Sequence, residues 1–500
     1  MKFTLDEIIE ATGAKILKND GVSDLKFAIS TDTRTIKKGE IYLPIKGENF
    51  DGEKFIDKAL GAGAIGYFCT KHCPPLETLP SKTIKYCFER GQPKSIDFGG
   101  GNSMPILVLQ VENTLTAYLQ LANFYRKKID PTTVAITGSS GKTTTKEMAY
   151  CVASEKFKTH KSELNFNNEI GLCKTILSMP ENTQVLIVEM GMRGSGEIEL
   201  LSKYAEPDIA IIANVGTAHI GRLGSRENIA KAKCEIIKHL KKNGTLIAHD
   251  DELIKKTIEN YPSPQPSPAR GEGVAAIIDS PPLTSHVSPL TSHAIYFSLN
   301  DTKILERKIG YSKFIYKNHE YELNIEGDYN IENSLAAIEL GLKLGINENE
   351  IASGLKKYSP IEKRWEVQEI KEFKIINDSY NANPESMKAA ITTALDIYPP
   401  PLLFVLGDMG ELGENEIEYH REIGEFLIEK IKANVNVITV GKLANEISEK
   451  LIENGIFSKN FKTNFETSRY ILDNVKIGTT IILKASRAMK FEEILNEVKR

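Results

Sequence analysis

What this 500-residue sequence has little of limits it first. Cysteine is scarce: Cys69, Cys73, Cys87, Cys151, Cys173 and Cys234 make six, with no C-x-x-C pair among them. That density is far below a secreted disulfide scaffold, so the thiols read as structural and the compartment as reducing. Charge of one sign is also lacking. Lys+Arg 63 against Asp+Glu 67 leaves a net charge of -4. No overall basic field therefore favours nucleic acid or an anionic membrane, although small anions can still be held at local sites. The apolar runs are short of the roughly 18 residues a membrane span needs. The opening "MKFTLDEIIEATGA" interleaves acids with apolar residues, unlike the apolar core of a signal peptide. The expectation is a soluble, cytoplasmic protein with no membrane insertion.

The length implies about three domains at roughly 100 to 200 residues each. Residues 1–108 read as a small α/β unit, with helices at "LDEIIEATGA" and "EKFIDKALGAGA" and short strands around "IYLPI" and "IGYF". Over 109–358 buried apolar runs alternate with amphipathic helices. "VLIVEMG", "IAIIANVG" and "GTLIAHDD" each end in Gly or an acid, the mark of βαβ units with functional loops at the carboxyl ends of parallel strands. Over 359–500 a second nucleotide-fold-like set follows in "FKIIND", "LLFVLGD", "VNVITVG" and "TIILKAS". Residues 262–293 break the order: they hold seven of the 21 prolines and repeat "PLTSH", so they read as a flexible surface insertion. "RGQPKSIDFGGGNSM" (90–104) reads as a loop.

"VAITGSSGKTTTKE" places a strand, a Gly-rich turn and a helix in succession. Glycines let backbone N–H groups curl around phosphate oxygens, and the helix N-terminus adds partial positive charge. Lys142 can neutralise β/γ-phosphates and Thr143 can ligate Mg²⁺. The full G-x-x-x-x-G-K-[ST] form is absent, because Ile136 stands five before Gly141. Glu189 ends "VLIVE", where a metal-holding acid belongs in a phosphate-loop protein. His219 lies on the loop after the next strand. Lys231 and Lys233 share one helix, and a buried lysine with a lowered pKa becomes reactive toward CO₂. Chemistry alone does not choose between them.

These residues resemble the Mur ligase family of ATP-dependent amide ligases. "TGSSGKTTTKE", "NFNNEIG", "EMGMRG", "NVGTAH", "AKAKCEI", "GDYNIENSLAA" and "KRWE" occur in that family's order, and "DSYNANPESM" and "GDMGELG" are similar to the branch that adds D-alanyl-D-alanine. The resemblance implies an α/β fold in three domains: a small UDP-binding domain, a central P-loop-type parallel-sheet ATPase and a C-terminal Rossmann-like domain. It implies ATP and two Mg²⁺ ions as cofactors, and a UDP-N-acetylmuramoyl-tripeptide and D-alanyl-D-alanine as substrates; the sequence itself leaves the oligomeric state open, with a monomer as the expectation.

It also implies roles. Gly138, Ser139, Ser140, Gly141, Lys142, Thr143 and Thr144 would cradle ATP. Asn330, Asn333, Arg364 and Asp378 would hold its adenine, ribose and phosphate. Thr143, Glu189, His219 and a carbamylated Lys233 would hold metal. Lys142, His219, Lys233 and Arg364 would act in catalysis. Thr31, Asp32, Arg34 and Asp51 are candidates for the UDP end, and Asn167, Asn168, Tyr380, Asn381, Lys484, Ser486 and Arg487 for the peptide substrates. Asn383 would cap a helix with Pro384 in its first turn. Ala485, Leu164 and Glu53 depart from residues common at those positions. Rival readings are the family's third-residue ligase, a folylpolyglutamate or cyanophycin-type ligase, and a regulatory protein that keeps the nucleotide site but joins nothing.

Overall fold

The computed structural model describes residues 1–22, 25–47, 50–71, 106–163, 165–260, 294–361 and 363–500. The expected loop at 90–104 and insertion at 262–293 lie outside the described residues, as do Cys73, Cys87 and Leu164. The chain is mixed α/β, and its described residues fall into two compact units.

The first unit takes in Met1–Pro131 and Glu169–Thr183. Its five-stranded sheet runs Lys15–Asn19, Leu107–Gln110, Gly66–Cys69, Ile41–Tyr42, Ile29–Ser30, with only the first pair antiparallel. Thr4 and Glu7 close a capping box on the helix Leu5–Thr12, and Gly13 ends it in the left-handed conformation. The helices Thr114–Ile129 and Glu169–Ser178 pack together, tied by the Tyr125 hydroxyl donating to the Met179 carbonyl at 2.8 Å.

The second unit takes in Thr132–Asn168 and Gln184–Arg500 and carries two six-stranded sheets. The central one is wholly parallel, in the order Ala294–Phe297, Thr245–His249, Ile209–Ile212, Thr132–Thr137, Val185–Glu189, Thr159–Lys161. Its inner strands read "TTVAIT", "VLIVE" and "IAII" because both faces are covered and nearly every position is buried. The chain leaves Thr132–Thr137 toward one edge and later returns on the other side through Ile209–Ile212. That reversal opens a crevice beyond the carboxyl ends of the strands.

The second sheet runs Glu366–Ile370, Phe373–Asn377, Thr480–Lys484, Leu402–Gly407, Val435–Val440, Ser458–Phe461, parallel except for its first pair. One apolar core reaches from Val134 and Ile136 through Tyr358 and Trp365 to Phe404 and Ile482. As expected, Asn383 caps the helix Pro384–Ile397 with proline at its start. Among the described residues, no helix is long and apolar enough to cross a membrane.

Candidate active site

The strand Thr132–Thr137 ends at Gly138, and the helix Lys142–Ala153 starts directly after Gly141. Gly141 has φ 74°, and a Cβ there would lie 2.2 Å from Asn333 Oδ1, so both conformation and space demand glycine. No side chain caps this helix and no acid sits in its first turn. Its first N–H groups and dipole are therefore open to an anion.

The loop before it is held from outside. Asn214 Oδ1 accepts from the backbone N–H groups of Ser139 at 3.0 Å and Ser140 at 2.9 Å, and Asn214 Nδ2 donates back to Ser140. Asn214 received no role from sequence; the available signal was an amide two residues after a buried apolar strand. Lys142 arches back, donating from Nζ to the Gly138 carbonyl at 2.6 Å. Burial pulls its pKa down, and Glu189 opposes the shift.

Glu189 is 2% exposed at the end of its strand. Its Oε1 accepts from Asn167 Nδ2 at 3.1 Å, while Oε2 is buried with no hydrogen-bond partner and lies 3.4 Å from Lys146 Nζ. Lys146, fully buried and also 3.4 Å from Glu147 Oε1, is a second cation that sequence reasoning missed. It sits one helical turn after Lys142, on the same face, and that spacing was the signal.

The paired lysines differ in burial. Lys231 is exposed, whereas Lys233 is 1% exposed. Burial, then the nearby Lys142 cation, holds Lys233 well below the ordinary lysine pKa. His219, at φ 68°, places Nδ1 2.5 Å from Glu411 Oε2. Burial lowers its pKa, Glu411 raises it, and Lys142 and Lys233 lower it further. Lys142 thus lies close enough to feel or exert charge on Glu189, Arg364, His219 and Lys233.

Arg364 lies between two left-handed residues, Lys363 at φ 62° and Trp365 at φ 56°. Its guanidinium stacks 3.9 Å above the Tyr380 ring, and its Nε is buried without a partner. Asn333 meets the helix after the phosphate loop, accepting from Thr145 Oγ1 at 3.4 Å, while Asn330 donates to the carbonyl of Glu326, just before its own helix, at 2.7 Å.

The other C-terminal candidates are engaged within the protein. Asp378 Oδ1 accepts from Trp365 N at 3.2 Å, and its Oδ2 takes Lys484 Nζ at 2.6 Å. Lys484 also donates to the Asn381 carbonyl, Ser486 Oγ accepts from Gly410 N at 2.7 Å, and Arg487 pairs with Glu492 at 2.7 Å. Ala485 packs in the core under Gly407 and Phe491.

In the first unit, Arg34 forks onto Asp32, donating from Nε at 2.9 Å and from Nη2 at 2.6 Å. That hydrogen-bonded guanidinium holds the Asp32 pKa down at about 2. Thr31 hydrogen-bonds Tyr118, and Asp51 accepts from Glu53 N at 3.1 Å, capping the turn that follows. Glu53 in turn accepts from Thr70 N at 2.7 Å.

A phosphate loop on a parallel sheet, followed by a second parallel sheet closing on the same crest, defines a two-sheet nucleotide-fold protein. The chain belongs to the Mur ligase family: the family model for the Mur ligase middle domain matches residues 136–341, and that for the Mur ligase glutamate ligase domain matches 363–487. Among curated proteins, the UDP-N-acetylmuramoyl-tripeptide--D-alanyl-D-alanine ligase of Bacillus subtilis is 35% identical, covering 100% of this chain and 98% of its own. Among solved structures, MurF from Acinetobacter baumannii aligns over 100% of this chain and 99% of its own, with a TM-score of 0.79 at 25% identity. MurF ligase from Thermotoga maritima in complex with ADP covers 94% of this chain and 96% of its own, with a TM-score of 0.72 at 26% identity.

Proposed function

We propose that this protein is an ATP-dependent amide ligase that joins D-alanyl-D-alanine to UDP-N-acetylmuramoyl-tripeptide through an acyl phosphate, giving the pentapeptide, ADP and phosphate for peptidoglycan. The observation that carries the reading is the buried Glu189, whose Oε2 accepts no hydrogen bond, beside an uncapped phosphate-loop helix and a buried, lowered Lys233. Full-length likeness to the B. subtilis ligase supports the choice of substrates.

Among the described residues no cluster of three or more His, Cys, Asp or Glu is spaced to hold a metal alone. Mg²⁺ does not need one, because it is commonly held by one or two carboxylates together with substrate phosphates. Glu189 and Thr143 fit that pattern, with His219 and a carbamylated Lys233 as further metal-site residues. Bound there, Mg²⁺ would neutralise charge on the phosphates. Burial favours the neutral amine of Lys233, and that amine adds CO₂ with release of one proton to give the carbamate.

Within this reading Lys142 and Arg364 neutralise the charge spread over the transferring phosphoryl group. The open N–H groups after Gly141 hold its oxygens, and the crest aligns the carboxylate that receives it. The amine then attacks the acyl carbon and phosphate leaves. Asp378 and Tyr380 serve the nucleotide and incoming dipeptide, as do Asn381, Lys484, Ser486 and Arg487. Asn167 and Asn168 line the peptide side, and Thr31, Asp32, Arg34 and Asp51 the UDP end. The division 1–108, 109–358 and 359–500, a cytoplasmic site of action and a monomeric state belong to the same proposal.

The test is phosphate release by purified protein with ATP, Mg²⁺ and UDP-N-acetylmuramoyl-tripeptide, with and without D-alanyl-D-alanine, followed by mass analysis. Release that depends on the dipeptide and yields a pentapeptide is expected. Turnover only with the dipeptide precursor and a diamino acid would reassign the protein within the family.

A further inference from the structure

Residues 214–221 lie between the strand Ile209–Ile212 and the end of the short helix Ile220–Leu223, and they face two ways. On one side they carry the phosphate loop: Asn214 takes the Ser139 and Ser140 amides, and Gly216 N donates to Ser139 Oγ at 2.8 Å.

On the other side they meet two C-terminal motifs. The Glu385 carboxylate, from "NPESM", accepts from Thr217 N at 3.0 Å and from Thr217 Oγ1 at 2.8 Å. Gly216 lies so close beneath it that an added Cβ would sit 3.0 Å from Glu385 Cδ. From "GDMGELG", Glu411 places Oε2 2.5 Å from His219 Nδ1 and its carbonyl 3.1 Å from Gly221 N. Gly221 and Gly413 touch backbone to backbone, where a Cβ on Gly221 would fall 2.3 Å from Gly413 N.

The bland account of Glu385 is an exposed acid in the first turn of its own helix, favoured by the helix dipole. That account does not explain why both carboxylate oxygens are taken by one threonine 168 residues earlier in the chain. Nor does it explain why the receiving segment is the one on which the phosphate loop rests.

We propose that residues 214–221 couple the C-terminal motifs to the phosphate loop, with Glu385 as the positioning residue that fixes Thr217, so that nucleotide affinity depends on a contact made between two protein segments. The inference rests on the nucleotide-binding reading above. By linkage, bound nucleotide strengthens the Glu385–Thr217 contact by the same factor that the contact strengthens nucleotide binding.

The experiment is calorimetric titration of full-length protein with ADP in Mg²⁺, using Glu385→Ala, Thr217→Val, the double variant and Gly221→Ala, with thermal unfolding as the check on folding. Glu385→Ala and Thr217→Val should each raise the ADP Kd about fivefold, and the double variant no further, because both remove one contact. Glu385→Gln, which keeps an acceptor for Thr217 N, should recover part of the loss. Gly221→Ala suits a short helix but wedges against Gly413, and it should weaken ADP from the other end of the segment. Affinity within twofold of wild type in both Glu385→Ala and Gly221→Ala, or simple additivity in the double variant, overturns this inference alone. Wild-type protein that takes up no ADP overturns the functional reading and this inference with it.

Discussion

The two parallel sheets of the second unit end in crests that treat charge oppositely. At the central crest Glu189 Oε2 and Arg364 Nε are buried without a hydrogen-bond partner, Oε2 meeting Lys146 Nζ at 3.4 Å, and no hydrogen bond or ion pair holds the Lys233 amine among the described residues. At the C-terminal crest Asp378 has both oxygens occupied, Lys484 joins it, Ser486 takes the Gly410 amide and Arg487 takes Glu492. Buried polar groups are costly unless satisfied. The central crest therefore carries a cost that an anionic, metal-bearing ligand would relieve, while the C-terminal crest has relieved its own. Unmet hydrogen bonding distinguishes the two crests better than residue type does, since both are rich in Lys, Arg and acids.

The contrast breaks most visibly at Lys142. Lys142→Ala should lower kcat on the order of 10²-fold or more, because charge on the transferring phosphoryl group loses a fixed partner. Steady-state phosphate release checks it, and a rate within a few-fold of wild type would remove Lys142 from the mechanism. The matching change at the satisfied crest should act on stability as well as on substrate binding. Lys484→Met leaves Asp378, a partly buried acid, without its ion pair, and should cost about 2 kcal/mol in denaturant unfolding. Replacing Asp378 by Asn in that background should cost little more, since the pair is already gone.

How much of this contrast was legible in sequence depends on range. Buried parallel strands announce themselves locally as "VLIVE" or "IAII", and the glycine-rich turn and its helix are contiguous, so that strand, turn and helix were readable. Asn383 and Pro384 were readable for the same reason. What closes a charge is not local. The Asp378–Lys484 pair joins residues 106 apart, and Glu326 gathers Trp365 and Tyr398 from elements far along the chain. Lys231 and Lys233 differ only in which way a helix is turned, which tertiary packing decides. Lys146 sits in "TTTKE", a stretch polar enough to read as exposed, and it is buried because the acids Glu147 and Glu189 receive it.

A smaller test asks whether the junction between the two sheets is built from satisfied groups. Trp365 Nε1 donates to Glu326 Oε1 at 2.8 Å, Gly310 N donates to Oε2 at 2.9 Å, and the Tyr398 hydroxyl shares Oε1. Trp365→Phe keeps a ring in the core but deletes the donor, so it should cost about 1.5 kcal/mol, the lower range for a hydrogen bond to a charged group. Guanidinium unfolding would show it, and a change under about 0.5 kcal/mol would mean that Tyr398 and Gly310 satisfy the carboxylate alone.

The smallest expected effect carries the opposite sign. If Lys233 is held buried for chemistry, it burdens the ligand-free fold, because its amine is buried without a hydrogen-bond partner and its charging is opposed by burial. Lys233→Met fills a similar volume without that cost. The variant should unfold about 1 kcal/mol harder, raising the thermal midpoint of the unit by roughly 2 to 4 °C, while losing ligase turnover. A gain in stability joined to a loss of activity cannot come from general damage to the fold. A fall in the midpoint would mean that Lys233 is a structural partner in the ligand-free protein, and it would move this lysine to the satisfied side of the comparison.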